Sequence, residues 1–325
     1  MLILKIFKKR WTKVVCIILC IVLLIVGGSY GYMRYTLSKI KTVSIDKDPN
    51  KLGVVPYVNP NDSASTGEPQ KNPPDIKNIA LIGVDKKNPD GSQRSDSVMI
   101  ASIDKEHKKI KLTSIMRDTY VAVENDQFAV NGHTRMGHTY QDGGPEMTIK
   151  TINTNFKMDI TDYIKVDFDG LMDIVDAIGG VKITIKDYEV SEMTAVGITK
   201  PGVYNLSGKQ ALAYSRIRHS GNKDYERTER QREVLQVMFT KMTSLSPTAF
   251  ASTAQKLFPY VETSLSSSDV LNMGMDVLTS GIRKFEQSRV PFDGMVKETT
   301  VDKLYYLTFD TDATVQKLHQ FIYEQ

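Results

Sequence analysis

The sequence predicts an α/β protein: a sandwich of about 250 residues in which strands and helices are mixed, preceded by one membrane-spanning helix. Three observations predict it. Short apolar runs that read as strands alternate with amphipathic stretches downstream of residue 76. Those runs end in polar clusters, and in layered α/β folds ligands gather where strands end. Residues 14–32 form an uncharged apolar run of bilayer length.

Taken in order, Lys5, Lys8, Lys9, Arg10 and Lys13 make residues 1–13 a basic cytoplasmic tail, which leaves everything after the span outside the cytoplasm. Tyr30 and Tyr32 sit at the far end of the span, as interface aromatics do, and make a poor signal-peptide cleavage site. Leu19 before Cys20 is too large for lipoprotein processing. Cys16 and Cys20 are the only cysteines, so the exported part can hold neither a disulfide nor a thiolate metal site. A formal net charge of +4 over 325 residues is too mild to imply nucleic acid. Residues 33–75 read as an extracytoplasmic linker: a short helix over 33–45, then a loose tether rich in Pro, Asn, Asp, Ser and Gly, with a small apolar patch at 52–57.

The main domain is expected over 76–325. Residues 78–84 read as a buried strand ending at Asp85. Residues 98–103 and 110–115 form a hairpin around the turn at 105–109, and the second strand runs into Arg117 and Asp118. A loop at 129–138 precedes a helix that opens at Gly143-Gly-Pro145 and reaches Phe156. A strand over 163–167 leads into a helix over 168–177, stopped by Gly179 and Gly180; residues 181–185 alternate as a strand. Asn205-Leu-Ser207 caps a helix from Gly208 to about Ser215. Helices are predicted from near Arg227 to Leu245, from Pro247 to about Leu257, and from Ser266 to Thr279; strands at 285–291 and 304–309 and a helix over 312–323 close the chain.

Two features carry chemistry. Asp85, Arg94 with Asp96, and Arg117 with Asp118 lie at strand ends, and Asp85 and Asp96 can offer two hard oxygens to one Mg²⁺. The stretch 214–232 holds five arginines, Arg216, Arg218, Arg227, Arg230 and Arg232, around a turn at Ser220-Gly-Asn-Lys223. Arg216 and Arg218 are two apart, so on extended chain they share a side; Arg227, Arg230 and Gln231 share a helix face. Guanidinium forks suit phosphate oxygens. The same stretch also suits a solvated helix with Glu226 and Glu229 as ion-pair partners.

These residues resemble the LytR-CpsA-Psr family over residues 78–97, 114–121, 163–180 and 206–231, in order and spacing. The resemblance implies an α/β/α sandwich with a mixed central sheet. It implies an exported, membrane-anchored phosphotransferase that moves a glycopolymer (wall teichoic acid, capsule or a similar polysaccharide) from a polyprenyl-pyrophosphate carrier to peptidoglycan. A phosphodiester to a muramic acid hydroxyl forms and polyprenyl phosphate leaves. By the same resemblance Asp85 and Asp96 hold Mg²⁺, with Mn²⁺ as the alternative. Arg94, Arg117, Arg216, Arg218, Arg227 and Gln231 bind the pyrophosphate, and Arg117, Arg216, Arg218 and Asp224 are catalytic. Met116, Ser97 and Glu226 depart from the residues most frequent in the family. Asp118, Asp224 and His219 are the candidates for the base. The donor's lipid needs an apolar cleft, for which the helices over 168–177 and 234–245 are candidates. A hydrolase of the same lipid pyrophosphate, an envelope regulator and a non-catalytic polysaccharide-binding module are the rival readings. DNA binding would need a cytoplasmic basic face, and only 13 residues are expected there.

Overall fold

A computed structural model of the chain describes residues 40–57, 75–85, 91–124, 129, 132–219 and 223–323. The predicted tail and the span at 14–32 lie outside these residues. Among the described residues no helix is long and apolar enough to cross a membrane.

The centre is a mixed seven-stranded sheet. Its strands are β1 (Lys41–Thr42), β2 (Ile76–Val84), β3 (Ser95–Asp104), β4 (Lys109–Ile115), β7 (Tyr163–Asp167), β10 (Glu262–Thr263) and β11 (Lys284–Val290), in the order β1-β10-β7-β2-β3-β4-β11. β2–β3 and β3–β4 are antiparallel, as the hairpin signal predicts, whereas β2–β7 and β4–β11 are parallel. Three hairpins stand apart: β5 (Tyr120–Ala122) with β6 (His133–Arg135), β8 (Val181–Ile185) with β9 (Gly202–Leu206), and β12 (Val296–Val301) with β13 (Leu304–Phe309). The helices are α1 (Thr139–Phe156), α2 (Phe168–Ala177), α3 (Val190–Met193), α4 (Gly208–Arg216), α5 (Lys223–Thr243), α6 (Pro247–Leu257), α7 (Ser267–Thr279) and α8 (Thr311–Tyr323).

β2 is apolar on both faces because both faces are covered. Ala80, Ile82 and Val84 pack with Ile149, Ile152 and Phe156 of α1 and with Leu318 and Ile322 of α8. Ile79 and Leu81 face the other way, towards Phe239 of α5 and Val277 of α7. A third cluster joins Val175 of α2, the β8–β9 hairpin, Tyr214 of α4 and Val234 of α5. It makes a subdomain that carries the arginine stretch. α2 and α4 approach closely: a Cβ at Gly208 would sit 2.1 Å from the Met172 carbonyl oxygen. Gly208→Ala should therefore cost about 1–3 kcal/mol through forced separation of the two helices, read as a lowered denaturant midpoint with an unchanged slope.

Two expectations change. Residues 40–57, expected to be part helix and part loose tether, pack onto the domain: Lys41 and Thr42 extend the sheet beside β10, and Ile45, Leu52 and Tyr57 are buried in its core. The small apolar patch at 52–57 is the reason. α5 starts at Lys223 rather than near Arg227, which moves Asp224 from a loop onto a helix.

Candidate active site

The site is built from three backbone devices. The first is a bulge at the end of β3. Gly83 pairs with Ser97 and Val84 with Ser95, so Asp96 has no residue opposite, and a bulge re-aims its side chain. Next to it, Asp85 closes the strand end. Its amide donates to the Arg94 carbonyl at 3.1 Å, and its Oδ1 accepts from the Arg94 amide at 3.0 Å.

The second device is the turn 116–119 after β4. Met116 N–H donates to the Val290 carbonyl, Leu307 N–H to the Asp118 carbonyl, and Gly137 N–H to the Arg117 carbonyl, at 2.9–3.0 Å. Gly137 is required there, since a Cβ would lie 3.0 Å from the Ser95 carbonyl oxygen and 3.2 Å from the Arg117 Cβ. The turn sends Arg117 to Asp96, with Nη1 to Oδ1 at 2.9 Å. Asp118 lies 3.7 Å from Arg117 Nε and 3.5 Å from Arg135 Nε.

The third device is the α4–α5 connection. α4 ends at Arg216, and buried Ile217 turns the chain so that the Arg218 and His219 amides donate to Glu192, at 3.1 and 3.0 Å. Asp224, in the first turn of α5, then sits 3.3 Å from Arg218 Nε and 3.2 Å from Arg227 Nη1. The three guanidiniums of Arg117, Arg218 and Arg227 therefore converge around the Asp96, Asp118 and Asp224 carboxylates. Burial opposes the charge on Arg117, but Asp118 and Asp96 overrule it and hold its pKa above the usual value. Arg227 differs. Burial pulls its pKa down by more than Asp224 restores, with Arg117 and Arg218 adding repulsion. It is only 7% exposed, and its Nε finds no hydrogen-bond partner among the described residues.

The other expected site residues divide. Arg94 donates from Nε to Gln141 Oε1 at 2.9 Å, at the rim. Arg216 does not join Arg218; it lies over the Phe168 ring, 4.4 Å from its centre, because the helix ends between the two and sends them apart. Gln231 lines an apolar cavity of about 210 Å³ between β2, α2 and α5, with Phe168, Leu171, Val234 and Leu235. Arg230 leaves the cluster for Glu189 (Nε to Oε1, 2.7 Å) and Glu226 (Nη2 to Oε2, 2.7 Å), so for this residue the ion-pair reading holds. Arg232 donates to Gln287 at 3.1 Å.

A polar cleft of about 540 Å³ opens over the cluster, lined by Arg117, Asp118, Arg218 and Asp224 and also by Arg135, Tyr225, Glu298 and Tyr305. Sequence reasoning missed the last four. Arg135 sits in a stretch read as irregular, where the alternation of buried Thr134 was the available signal. A larger cleft of about 610 Å³, beside Lys41, Lys165, Tyr140 and Tyr260, does not reach the clustered arginines. His138 lies within electrostatic reach of the cluster. Burial, and then Arg135 and Arg94, hold its imidazole below the usual range against the opposing pull of Asp118. As pH falls below about 6.5 the unfolded chain takes this proton before the folded one, so stability is lost on acidification. Wild type should therefore lose more melting temperature between about pH 7.5 and 5.5 than His138→Gln does.

A cleft lined by arginines and carboxylates at the strand ends of a mixed α/β sheet, with an apolar cavity nearby, is an arrangement that suits an amphiphilic phosphate ester. The model of the LytR_cpsA_psr family matches residues 30–321, and the chain belongs to that family. It is 30% identical over 307 residues, 91% of each chain, to polyisoprenyl-teichoic acid–peptidoglycan teichoic acid transferase TagU of Bacillus mycoides. It is 28% identical over 255 residues to the corresponding transferase TagV of Bacillus subtilis, where the match covers 76% of this chain and 63% of that one. The crystal structure of B. subtilis TagV superposes with a TM-score of 0.64 at 25% identity, over 77% of this chain and 98% of that one. TagT with bound octaprenyl pyrophosphate lipid has the same fold, with a TM-score of 0.62 at 21% identity, over 86% and 99%.

Proposed function

We propose that this chain is a membrane-anchored phosphotransferase that moves a glycopolymer from a polyprenyl-pyrophosphate carrier to peptidoglycan, with the domain outside the cytoplasm. One observation carries the reading: Arg227 is buried, under-compensated by Asp224 and lacks a partner for Nε among the described residues. An unpartnered donor on a buried cation beside two further guanidiniums suits an incoming anion. Arg117 and Arg218 flank it, so a pyrophosphate would meet three guanidiniums already held in place by carboxylates. The relatives named as teichoic acid transferases identify the substrate class.

In the reaction the acceptor hydroxyl attacks the phosphorus that bears the sugar, and the bond from that phosphorus to the bridging oxygen breaks. The hydroxyl proton passes to a carboxylate, and polyprenyl phosphate leaves. The arginines bind the pyrophosphate, orient it and stabilise charge that spreads over its oxygens in the transition state. Asp118 and Asp224 both line the polar cleft, whereas His219 does not, so the two aspartates are the candidates to take the proton. The apolar cavity beside Gln231 receives the start of the lipid. At about 210 Å³ it is smaller than the usual pocket for a drug-sized ligand, so a full polyprenyl chain must open it further. Arg216, stacked over Phe168, which lines that cavity, suits the phosphate next to the lipid.

Asp85 and Asp96 fit a hard cation. They are two carboxylates at adjoining strand ends, each with one oxygen engaged, Asp85 Oδ1 by the Arg94 amide and Asp96 Oδ1 by Arg117, which leaves the Oδ2 atoms as the proposed ligands. Such a donor set suits Mg²⁺, which keeps several waters, with Mn²⁺ as the alternative. When bound, the ion would neutralise charge on the pyrophosphate oxygens.

The test is incubation of the full-length protein with a synthetic polyprenyl-pyrophosphate-linked sugar, Mg²⁺ and peptidoglycan oligomers, with products read by mass spectrometry. A sugar-phosphate adduct on the glycan, lost on chelation and restored by Mg²⁺, is the expected result. Release of polyprenyl phosphate without an adduct would make the chain a hydrolase instead.

A further inference from the structure

We infer that the β12–β13 hairpin is the acceptor-glycan subsite, with the Tyr305 ring as its stacking platform and Glu298 as its acceptor for sugar hydroxyls. The inference rests on the transfer reaction proposed above and deepens it.

α5 serves as a ruler. Its first-turn residues Asp224 and Tyr225 line the polar cleft, Arg227 follows, and Gln231, Val234 and Leu235 line the apolar cavity. At about 1.5 Å of rise per residue, Asp224 and Gln231 lie roughly 10 Å apart along the helix. The cleft and the cavity share no lining residue. A lipid in the cavity places its leaving phosphate at the Gln231 end. Displacement at phosphorus runs roughly in line, so the attacking hydroxyl approaches from the Asp224 end, through the polar cleft.

The hairpin is the wall of that cleft. Tyr305 and Leu307 are two apart on β13 and share a face, and Glu298 pairs with Leu307 across the hairpin on the same face. All three line the cleft. Tyr305 is 40% exposed; among the described residues Tyr188 and Tyr260 are the other exposed tyrosine rings, and neither lines this cleft. An exposed ring at the rim of a charged cleft offers the flat apolar surface that the C–H face of a sugar needs. Its hydroxyl bonds to Glu298, and burial together with that carboxylate pushes the phenol up to about 12. The hairpin is also held in register with the chemistry. Leu307 N–H donates to the Asp118 carbonyl at 2.9 Å, and Arg135 Nε donates to the Tyr305 carbonyl at 3.0 Å. A sugar seated on Tyr305 is thereby held at a set distance from Asp118.

The test uses the full-length protein in detergent, an octaprenyl-pyrophosphate-linked sugar as donor and an N-acetylglucosamine–N-acetylmuramic acid tetrasaccharide as acceptor. Tyr305→Ala should raise the acceptor KM by about tenfold while the donor KM stays within about twofold. Tyr305→Phe, which keeps the ring, should stay within about threefold of wild type for the acceptor. Glu298→Gln should raise the acceptor KM by a few-fold and leave the donor KM alone. An unmoved acceptor KM in Tyr305→Ala, or a shift confined to the donor KM, would overturn the subsite while leaving the transfer reaction intact. If wild type itself forms no product, the transfer reading fails separately. Saturation-transfer NMR with the tetrasaccharide then decides the subsite: sugar signals lost in Tyr305→Ala and kept in Tyr305→Phe support it, and equal signals in all variants refute it.

Discussion

Arg218→Ala should lower kcat/KM for glycan transfer by about 10²–10³-fold, the usual loss when one preorganised donor to a developing charge is removed. Arg218 is exposed enough to meet substrate, yet it is aimed by Asp224 at 3.3 Å and by backbone bonds to Glu192. Its removal therefore takes away substrate contact with little cost to folding. Arg218→Lys should recover only part of the activity, because a point charge cannot reproduce a fork spanning two phosphate oxygens. The comparison needs kcat/KM together with a melting temperature for each variant. A fully active Arg218→Ala would remove Arg218 from the clamp and leave its contact with Asp224 as a surface ion pair.

Arg230→Met should destabilise the fold by about 3–5 kcal/mol, the range for breaking a buried pair from one side. Glu189 is 1% exposed and Arg230 is 3% exposed, so the variant leaves a carboxylate buried with its main counter-charge gone. That is a large share of the stability of an ordinary domain. The pair also bears on the site, since it pins α5 to the segment Glu189–Met193, from which Glu192 holds the Arg218 and His219 amides. Pairing Arg230→Met with Glu189→Met should recover much of the loss, because two apolar side chains of similar size replace the pair. Denaturant unfolding of the single and double variants checks this, and a single variant within about 1 kcal/mol of wild type would contradict it.

The contrast between Arg218 and Arg230 shows how far the sequence could be read. Helical spacing correctly put Arg227 and Arg230 on one turn of α5, but spacing does not reveal which carboxylates wait on other elements. Glu189 and Glu226 claim Arg230, whereas among the described residues Arg227 pairs with Asp224 alone. Periodicity predicted β2, β3, β4, β7, β8, β11, β13 and the long helices because each has one or two apolar faces to bury. It missed β1 and β10, which are two residues long and follow from pairing alone. β12 was missed as well: its turn is made by Asp302 and Lys303 at positive φ, without the glycine that usually marks such a hairpin. For that reason the hairpin's share of the cleft, Glu298 and Tyr305, was not visible. Asp96 could be named from its place beside Arg94, but only the bulge explains why its side chain reaches Arg117.

The most direct test of the central claim is a crystal structure of the protein with octaprenyl pyrophosphate. The account predicts that the pyrophosphate lies among Arg117, Arg218 and Arg227, that Arg227 Nε gains an oxygen partner, and that the lipid enters the cavity beside Gln231, Val234 and Leu235. A lipid bound instead in the cleft beside Lys165 and Tyr260, with the three arginines unchanged around Asp96 and Asp224, would contradict it.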